Sequence, residues 1–195
     1  MARTCRIERK TAETQVMVEL NLDGRGEADI NTGIAFFDHM LTLFCVHGGF
    51  DLSVQARGDL EVDFHHTVED VALVLGEAVS TALDDRVGIR RYGYAVTPMD
   101  EALAEVAIDL SNRPFLVCHL PSPLASPGPF DPGLAKEFLR AFCVKGGMNL
   151  HVNVKYGENE HHVLESVYKS IGRALKLAVC LDPGRRGVRS SKGIL

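Results

Sequence analysis

The chain has 195 residues, of which 46% are hydrophobic and 24% charged, and its formal net charge at pH 7 is −5. This size and composition predict a globular protein, either one domain or two small packed halves, that buries a core without disulfides. The negative charge argues against a general nucleic-acid binder, and the longest apolar stretch, Ile34 to Val46, is too short and too polar to cross a membrane.

The first half of the chain predicts a strand, a helix, a strand and a second helix. Apolar and polar side chains alternate from Thr14 to Leu22 and from Phe50 to Ala56, as in half-buried strands. Between them, Ile34 to His47 predicts a helix that ends at a glycine pair. The second helix carries an apolar stripe with the helical period, formed by Val68, Val71, Ala72, Leu75, Ala78, Val79, Ala82 and Leu83.

The second half predicts the same order of elements. Ala104 to Leu110 is its first predicted strand, and the segment from Pro121 to Pro132, which holds five of the eight prolines, predicts a loop. Leu134 to Lys145 predicts a helix, again ended by a glycine pair, and Met148 to Lys155 predicts a strand. A second helix that begins near His161 completes the half.

The two halves repeat each other. When residues 39–54 are shifted by 98 positions onto 137–152, eight of the sixteen are identical. We therefore expect two pseudo-repeats, about 1–92 and 93–181, within a single catalytic domain that ends in a basic tail, 182–195. The segregation of strands and helices predicts an α+β fold in which each half is a small sheet with two helices packed on one face.

A shift of 96 positions superimposes two copies of a His-His-x-x-Glu motif, His65-His66-x-x-Glu69 and His161-His162-x-x-Glu165. A histidine and a glutamate four positions apart lie side by side on a helix and can hold one cation. Adjacent histidines diverge by roughly 100° around the helix, so each pair should serve two different ions. A single buried histidine is more often a hydrogen-bonded core residue, but the repetition favours metal binding, and nitrogen-plus-oxygen ligands favour manganese, iron, nickel or zinc.

The repeat adds a further pair of candidate ligands. His39 in the first half falls on Glu137 in the second, near the middle of the preceding predicted helix. We interpret both as metal ligands. The two arginines Arg86 and Arg90 are predicted to form surface or interface ion pairs.

The five cysteines, at positions 5, 45, 118, 143 and 180, are odd in number and show no Cys-x-x-Cys spacing. A disulfide framework or a thiolate zinc site is therefore not expected. The N-terminus shows no basic, apolar leader. We expect a reducing, cytoplasmic setting.

Several motifs resemble those of the imidazoleglycerol-phosphate dehydratases, the lyases of histidine biosynthesis. The matching motifs are Arg9-x-Thr11-x-Glu13-Thr14, Phe36-Phe37-Asp38-His39-Met40-Leu41, Asp63-x-His65-His66-Thr67-Val68-Glu69-Asp70, Gly88-Ile89-Arg90-Arg91-Tyr92-Gly93, Asp100-Glu101-Ala102-Leu103, Asn159-x-His161-His162-x-x-Glu165 and Ser191-Lys192-Gly193. The resemblance runs nearly end to end and implies an internally duplicated, ribosomal-protein-S5-domain-2-like fold. It also implies a homo-oligomer, a 24-subunit cage, with two Mn²⁺ per chain and no nucleic-acid or membrane partner.

The resemblance also implies the roles of particular residues. The metal ligands would be His39, His65, His66, Glu69, Glu137, His161, His162 and Glu165, although the family often has histidine where Glu137 stands. The substrate-binding residues would be Glu13, Arg91, Arg113, Lys169, Ser191, Lys192 and Gly193, most of them around the phosphate. The catalytic residues would be Glu13, His39, His65, Glu69, His161 and Glu165.

The implied reaction converts D-erythro-imidazole glycerol phosphate to imidazole acetol phosphate and water. The proton that is lost sits on a carbon with no activating carbonyl, so we expect metal ions to stabilise the substrate ring as an imidazolate that expels the adjacent hydroxyl. Glu13 is our candidate acid-base group, with Asp100 or Glu101 as second choices.

Two other functions use the same metal ligands. A metal-dependent phosphoester hydrolase would activate water and would not require an imidazole in its substrate. A non-catalytic, metal-assembled protein would need neither a phosphate site nor Glu13.

Overall fold

The computed structural model describes residues 3–121, 130–184 and 187–195. The first half contains β1 (Thr4–Lys10), β2 (Thr14–Asn21), β3 (Ala28–Asn31), α1 (Ala35–Gly48), β4 (Asp51–Gly58) and α2 (His65–Leu83). The second half contains β5 (Tyr92–Met99), β6 (Ala102–Asp109), β7 (Phe115–His119), α3 (Gly133–Gly146), β8 (Asn149–Tyr156) and α4 (Glu160–Val179). The order of elements is therefore the same in both halves.

Each half forms a four-stranded sheet of identical topology. The strand order is β1-β2-β4-β3 in the first sheet and β5-β6-β8-β7 in the second. Only the last pair of each sheet, β3 with β4 and β7 with β8, is parallel, because a helix connects those two strands. The predicted α+β fold with an internal duplication is confirmed.

The four helices lie between the two sheets and join the halves. α2 packs on β1 and β2 and α4 packs on β5 and β6, while α1 packs on α4 and α3 packs on α2. The strands bury alternate residues against these helices: Val16 and Val18 of β2 are fully buried, whereas Gln15 and Glu19 are exposed. One face of each sheet thus holds the core and the other remains open.

A glycine lies at each crossing of helices from different halves. A Cβ on Gly172 of α4 would lie 2.3 Å from the carbonyl oxygen of Phe44 on α1. A Cβ on Gly76, its repeat counterpart, would lie 2.6 Å from the carbonyl oxygen of Phe142 on α3. The absence of these side chains lets the backbones touch, which brings the polar ends of α1 and α4, and of α3 and α2, close together.

Most predicted elements are confirmed, with ends shifted by one or two residues. Four strands, β1, β3, β5 and β7, were not predicted. β3 and β7 have only four and five residues, and β1 and β5 also lie at sheet edges, where few apolar side chains mark the alternation. Most of the predicted Pro121–Pro132 loop, residues 122–129, lies outside the described residues. The limits of the two halves stay predictions.

Arg86 does not lie on the surface as predicted. Its side chain is buried and donates hydrogen bonds of 2.9 and 2.8 Å to the carbonyl oxygens of Gly146 and Gly147, at the end of α3. The last carbonyls of a helix lack partners within it, so this arginine serves as a cap. Among the described residues, each helix falls short of the length or the apolarity needed to cross a bilayer.

Candidate metal centres

Three predicted ligands converge where α1 crosses α4. His39 Nε2 and His161 Nε2 each lie 3.0 Å from Glu165 Oε1, and the three ligand atoms lie within 4.8 Å of one another. Glu165 is buried, while both rings keep about 40% of their surface exposed. Two imidazole nitrogens and a carboxylate oxygen that point to one place form a donor set for a first-row divalent cation.

Glu165 is held in its charged form by cationic and hydrogen-bonding neighbours. Burial acts to raise the pKa of Glu165, but hydrogen bonds from Lys169, His39 and His161, together with the charge of Lys169, outweigh it and lower this pKa to about 2. Lys169 binds the second carboxylate oxygen, Oε2, one turn further along α4. Oε1 therefore remains the oxygen that faces the two imidazoles.

A second group of predicted ligands lies at the pseudo-equivalent crossing of α2 and α3. His65 Nε2 lies 3.8 Å from Glu69 Oε2, and Glu137 lies one helix away on α3. Arg140 forms an ion pair with Glu137 and approaches Glu69 Oε1 at 3.9 Å. Arg140 therefore links Glu137 on α3 with Glu69 on α2, which are the repeat counterparts of His39 and Glu165.

The remaining two predicted ligands, His66 and His162, bond to carboxylates outside these clusters, those of Asp59 and Glu101. Their ring centroids lie 6.1 and 6.4 Å from those of the preceding histidines, with nearly perpendicular ring planes. The two rings of each adjacent pair therefore have different orientations. In the described part of the chain, the single group of three or more convergent ligands is the one around Glu165.

Each of these outer histidines has a carboxylate partner at Nδ1. Asp59 Oδ2 lies 3.0 Å from His66 Nδ1, and Glu101 Oε2 lies 2.7 Å from His162 Nδ1. These hydrogen bonds raise the pKa of both imidazoles, and the bond from His162 is the main cause that lowers the pKa of Glu101 to about 2. A carboxylate at Nδ1 orients the imidazole and leaves Nε2 as the ring nitrogen that could bind a metal ion.

The candidate acid-base residues border the outer histidines. Glu13 lies in the turn between β1 and β2, with Oε2 3.8 Å from His66 Nδ1. Asp100 lies in the corresponding turn between β5 and β6, with Oδ2 3.8 Å from His162 Nε2. Both side chains are more than half exposed, so either is open to a bound substrate.

The predicted phosphate-binding residues fall into two groups within one chain. Arg91 donates to both oxygens of Asp109, at 2.6 and 3.0 Å, and to the carbonyl of Arg189 in the tail. Asp109 is in register with Asn149, whose amide donates to the carbonyl of Arg113. Arg91, Arg113 and the exposed tail residues Ser191, Lys192 and Gly193 therefore share one end of the second sheet.

Lys169 lies at the other end of that sheet. Its Nζ is 3.2 Å from the sulfur of Met99, the last residue of β5, whereas Arg91 immediately precedes the first residue, Tyr92. A strand of this length spans about 23 Å at ~3.3 Å per residue. Within one chain, Lys169 is therefore too far from the other phosphate-binding candidates to contact the same phosphate group.

Two further residues of the clusters were not predicted. The sequence could have indicated Arg140, because it lies three positions after Glu137, the spacing of a helical ion pair. It could not have indicated Asp59, since this residue lies in a loop seven positions before His66. The first turns of the helices are fixed by repeat-equivalent caps, Asp63 at the backbone N–H of His65 and Asn159 at that of His161.

The predicted metal ligands lie outside two grooves on the first sheet. Two grooves of about 710 and 830 Å³ lie against the first sheet, and none of the predicted ligands lines them. The histidines and glutamates instead lie at open helix ends. Their donor set fits a divalent cation, because it offers imidazole nitrogens and carboxylate oxygens without a thiolate.

Comparisons with known proteins agree on one family. Residues 32–175 match the model of the family described as imidazoleglycerol-phosphate dehydratase. Curated relatives of that name include those of Desulfosudis oleivorans, 61% identical over the whole of both chains, and Syntrophobacter fumaroxidans, 56% identical over 97% of this chain and 96% of the relative.

Solved structures of dehydratases with the same name are also similar. The Staphylococcus aureus structure has a TM-score of 0.83 at 34% identity and covers 92% of this chain and 99% of its own. The Pyrococcus furiosus structure has a TM-score of 0.84 at 35% identity and covers 97% of this chain and 100% of its own.

Proposed function

The chain belongs to the imidazoleglycerol-phosphate dehydratase family and is a hydro-lyase of histidine biosynthesis, and we propose that it acts through two manganese centres per chain. Its substrate is D-erythro-imidazole glycerol phosphate and its product imidazole acetol phosphate. Family membership favours this reaction over phosphoester hydrolysis and over a non-catalytic metal-assembled protein.

The convergence of His39, His161 and Glu165 is the observation that carries the proposal. Three ligand atoms from two helices and both halves lie within 4.8 Å of one another. Lys169 pairs with Glu165 Oε2, so Oε1 faces the two imidazole nitrogens, and these three atoms are a donor set that a divalent cation could use. Manganese is our choice because imidazole and carboxylate ligands with open positions suit it.

The eight proposed ligands divide by direction. His39, His161 and Glu165 form one part of a centre, and His65, Glu69 and Glu137 form the pseudo-equivalent part. His66 and His162 bond instead to Asp59 and Glu101, so we propose that they complete centres with neighbouring chains. The separation of Lys169 from the other phosphate-binding candidates supports the same sharing. A 24-subunit cage is our proposal for the assembly, on the strength of the family resemblance.

The residues divide the chemical work among them. The bound ions would supply Lewis acidity that lowers the pKa of an imidazole N–H. Arg91, Arg113, Lys169, Ser191, Lys192 and Gly193 would hold the phosphate with charge-assisted and backbone hydrogen bonds. Glu13 would take the proton from the substrate carbon chain, since its carboxylate is exposed beside His66.

The setting proposed for this chemistry is the cytoplasm. All five cysteines are free thiols, and two of them, Cys45 and Cys143, are buried at equivalent positions of the repeat. Burial raises the pKa of both thiols, which keeps them protonated and poorly reactive.

A turnover assay tests the proposal. The purified protein is given imidazole glycerol phosphate with Mn²⁺, before and after chelation, and both imidazole acetol phosphate and inorganic phosphate are measured. We expect the acetol phosphate to form only with metal and inorganic phosphate to stay at background. Release of inorganic phosphate would favour the hydrolase, and turnover that survives complete chelation would contradict the metal mechanism.

A further inference from the structure

The two metal clusters differ in charge at one pair of repeat-equivalent positions. His39 contributes an imidazole to the cluster at α1 and α4, whereas its counterpart Glu137 contributes a carboxylate to the cluster at α2 and α3. The second cluster therefore carries two carboxylates, those of Glu69 and Glu137, and one imidazole. Two like charges that share a site repel each other when no cation is present.

Arg140 lies where that repulsion arises. Its Nη2 forms a salt bridge with Glu137 Oε2 and lies 3.9 Å from Glu69 Oε1. The same nitrogen thus faces carboxylates from two helices, much as a metal ion would.

The first half of the chain has no arginine at the position equivalent to Arg140. The counterpart of Arg140 in the first half is Thr42, whose hydroxyl donates to the carbonyl of Asp38 at 2.8 Å. The other cluster has its own cation, Lys169 on Glu165, and the counterpart of Lys169 is Leu73. Among the described residues, each cluster therefore has a compensating cation, placed differently in the two halves, and Arg140 accompanies the carboxylate that stands where the other half has a histidine.

We infer that Arg140 is the counter-ion of the Glu137 cluster and determines how firmly that cluster holds its metal. The inference rests on the metal centres proposed above. Without metal, the guanidinium balances Glu137 and Glu69. A dication that binds there has to take carboxylate oxygens from Arg140 and then remains beside its positive charge. Both effects weaken metal binding at this centre and leave the His39 centre unaffected.

Removal of the positive charge of Arg140 should therefore tighten metal binding at the Glu137 centre and leave the His39 centre unchanged. Arg140→Gln should allow one manganese per chain to survive roughly tenfold more chelator than in the wild type, because a charge-assisted contact that competed with the metal is gone. The exposure of Arg140, whose side chain is 59% accessible, limits the effect through solvent screening.

The test uses the assembled, manganese-loaded protein in graded concentrations of EDTA, with manganese per chain measured by elemental analysis. Lys145→Gln is the matched control, because Lys145 also joins α3 to α2, through Glu77 at 3.8 Å, away from the ligands. Arg140→Lys retains the charge and should stay within about threefold of the wild type. Light scattering verifies that every variant remains assembled.

The outcomes separate this inference from the proposed function. Tighter retention of one manganese in Arg140→Gln, with Lys145→Gln unchanged and a much smaller effect of Arg140→Gln in a Glu137→His background, would support it. Unchanged or weaker retention in Arg140→Gln, beside a fully loaded wild type, would overturn this inference alone. A wild-type protein that holds no manganese would overturn the metal centres and this inference with them.

Discussion

His39 on α1 and Glu165 on α4 are 126 positions apart in the chain, yet His39 Nε2 lies 3.0 Å from Glu165 Oε1. The contact exists because the backbones of α1 and α4 touch at Gly172, and His39 and Glu165 lie on these same two helices. The halves thus cooperate in each metal cluster, and the duplicated fold determines which residues meet.

Gly172→Ala tests this dependence of the site on the helix crossing. A methyl group would lie 2.3 Å from the carbonyl oxygen of Phe44, so α1 and α4 must separate. We expect a loss of about 1–3 kcal/mol in the free energy of unfolding, typical of an overpacked interior, together with weaker metal binding. Urea denaturation and elemental analysis measure the two effects. Gly133→Ala, where the three atoms nearest to the new Cβ all belong to the side chain of Asp131 at 3.2 Å or more, is the control and should change neither.

Glu13→Gln tests the acid-base role. The amide has the same shape but cannot accept the proton, so turnover should fall by roughly 10²–10⁴-fold. Manganese content should stay close to that of the wild type, because Glu13 is not a proposed metal ligand. Substrate affinity should also stay close, because the amide keeps the size and shape of the carboxylate. Wild-type turnover in a fully loaded variant would remove Glu13 from the mechanism, and Asp100 or Glu101 would then be tested in the same way.

Lys192→Ala tests the phosphate-binding role of the tail. The contact with phosphate would exist in both the ground state and the transition state, so its loss should raise KM and leave kcat nearly unchanged. We expect an increase in KM of roughly tenfold, as for one charge-assisted hydrogen bond. A fall in kcat at constant KM would show that Lys192 acts on the reacting atoms instead.

Glu101→Gln tests the partner of His162 through its pH dependence. The hydrogen bond from His162 is the main cause that lowers the pKa of Glu101 from 4.5 to about 2, and it raises the pKa of His162 above 6.5. The contribution of Glu101 to stability is present above pH 4.5 and is lost as pH falls through about 2. That of His162 is present below pH 6.5 and is lost as pH rises through its folded pKa.

The pair should therefore stabilise the metal-free protein between about pH 4.5 and the raised pKa of His162. Unfolding free energies of the wild type and Glu101→Gln, measured from pH 2 to 9, should differ inside that window and converge outside it. A difference that does not vary with pH would count against the ion pair. The variant should also bind manganese less tightly, because Glu101 orients the imidazole.

Much of the architecture could be predicted because the sequence of the first half is repeated in the second. Amphipathic alternation identified β2, β4, β6 and β8, and the glycine pairs marked the ends of α1 and α3, where Gly49 and Gly147 adopt positive φ values of 61° and 59°. The edge strand β3 was missed because four residues are too few to show a period.

The site was predictable where a ligand pair lies on one helix, as in His161 with Glu165, because helical spacing fixes their proximity. Contacts that do not follow helical spacing were not predictable in this way. Asp59 reaches His66 from a loop, and Arg140 reaches Glu69 across two helices. Such contacts depend on packing, and no spacing rule in a single sequence encodes them.

The central claim is that this chain is a manganese-dependent dehydratase, and one titration tests it most directly. Manganese per chain and turnover of imidazole glycerol phosphate are measured on the same samples as pH is lowered from neutral. We expect two manganese ions per chain at neutral pH and a parallel loss of metal and turnover below about pH 5.5, as histidine ligands protonate. Full turnover in samples that contain only trace transition metal would contradict the account.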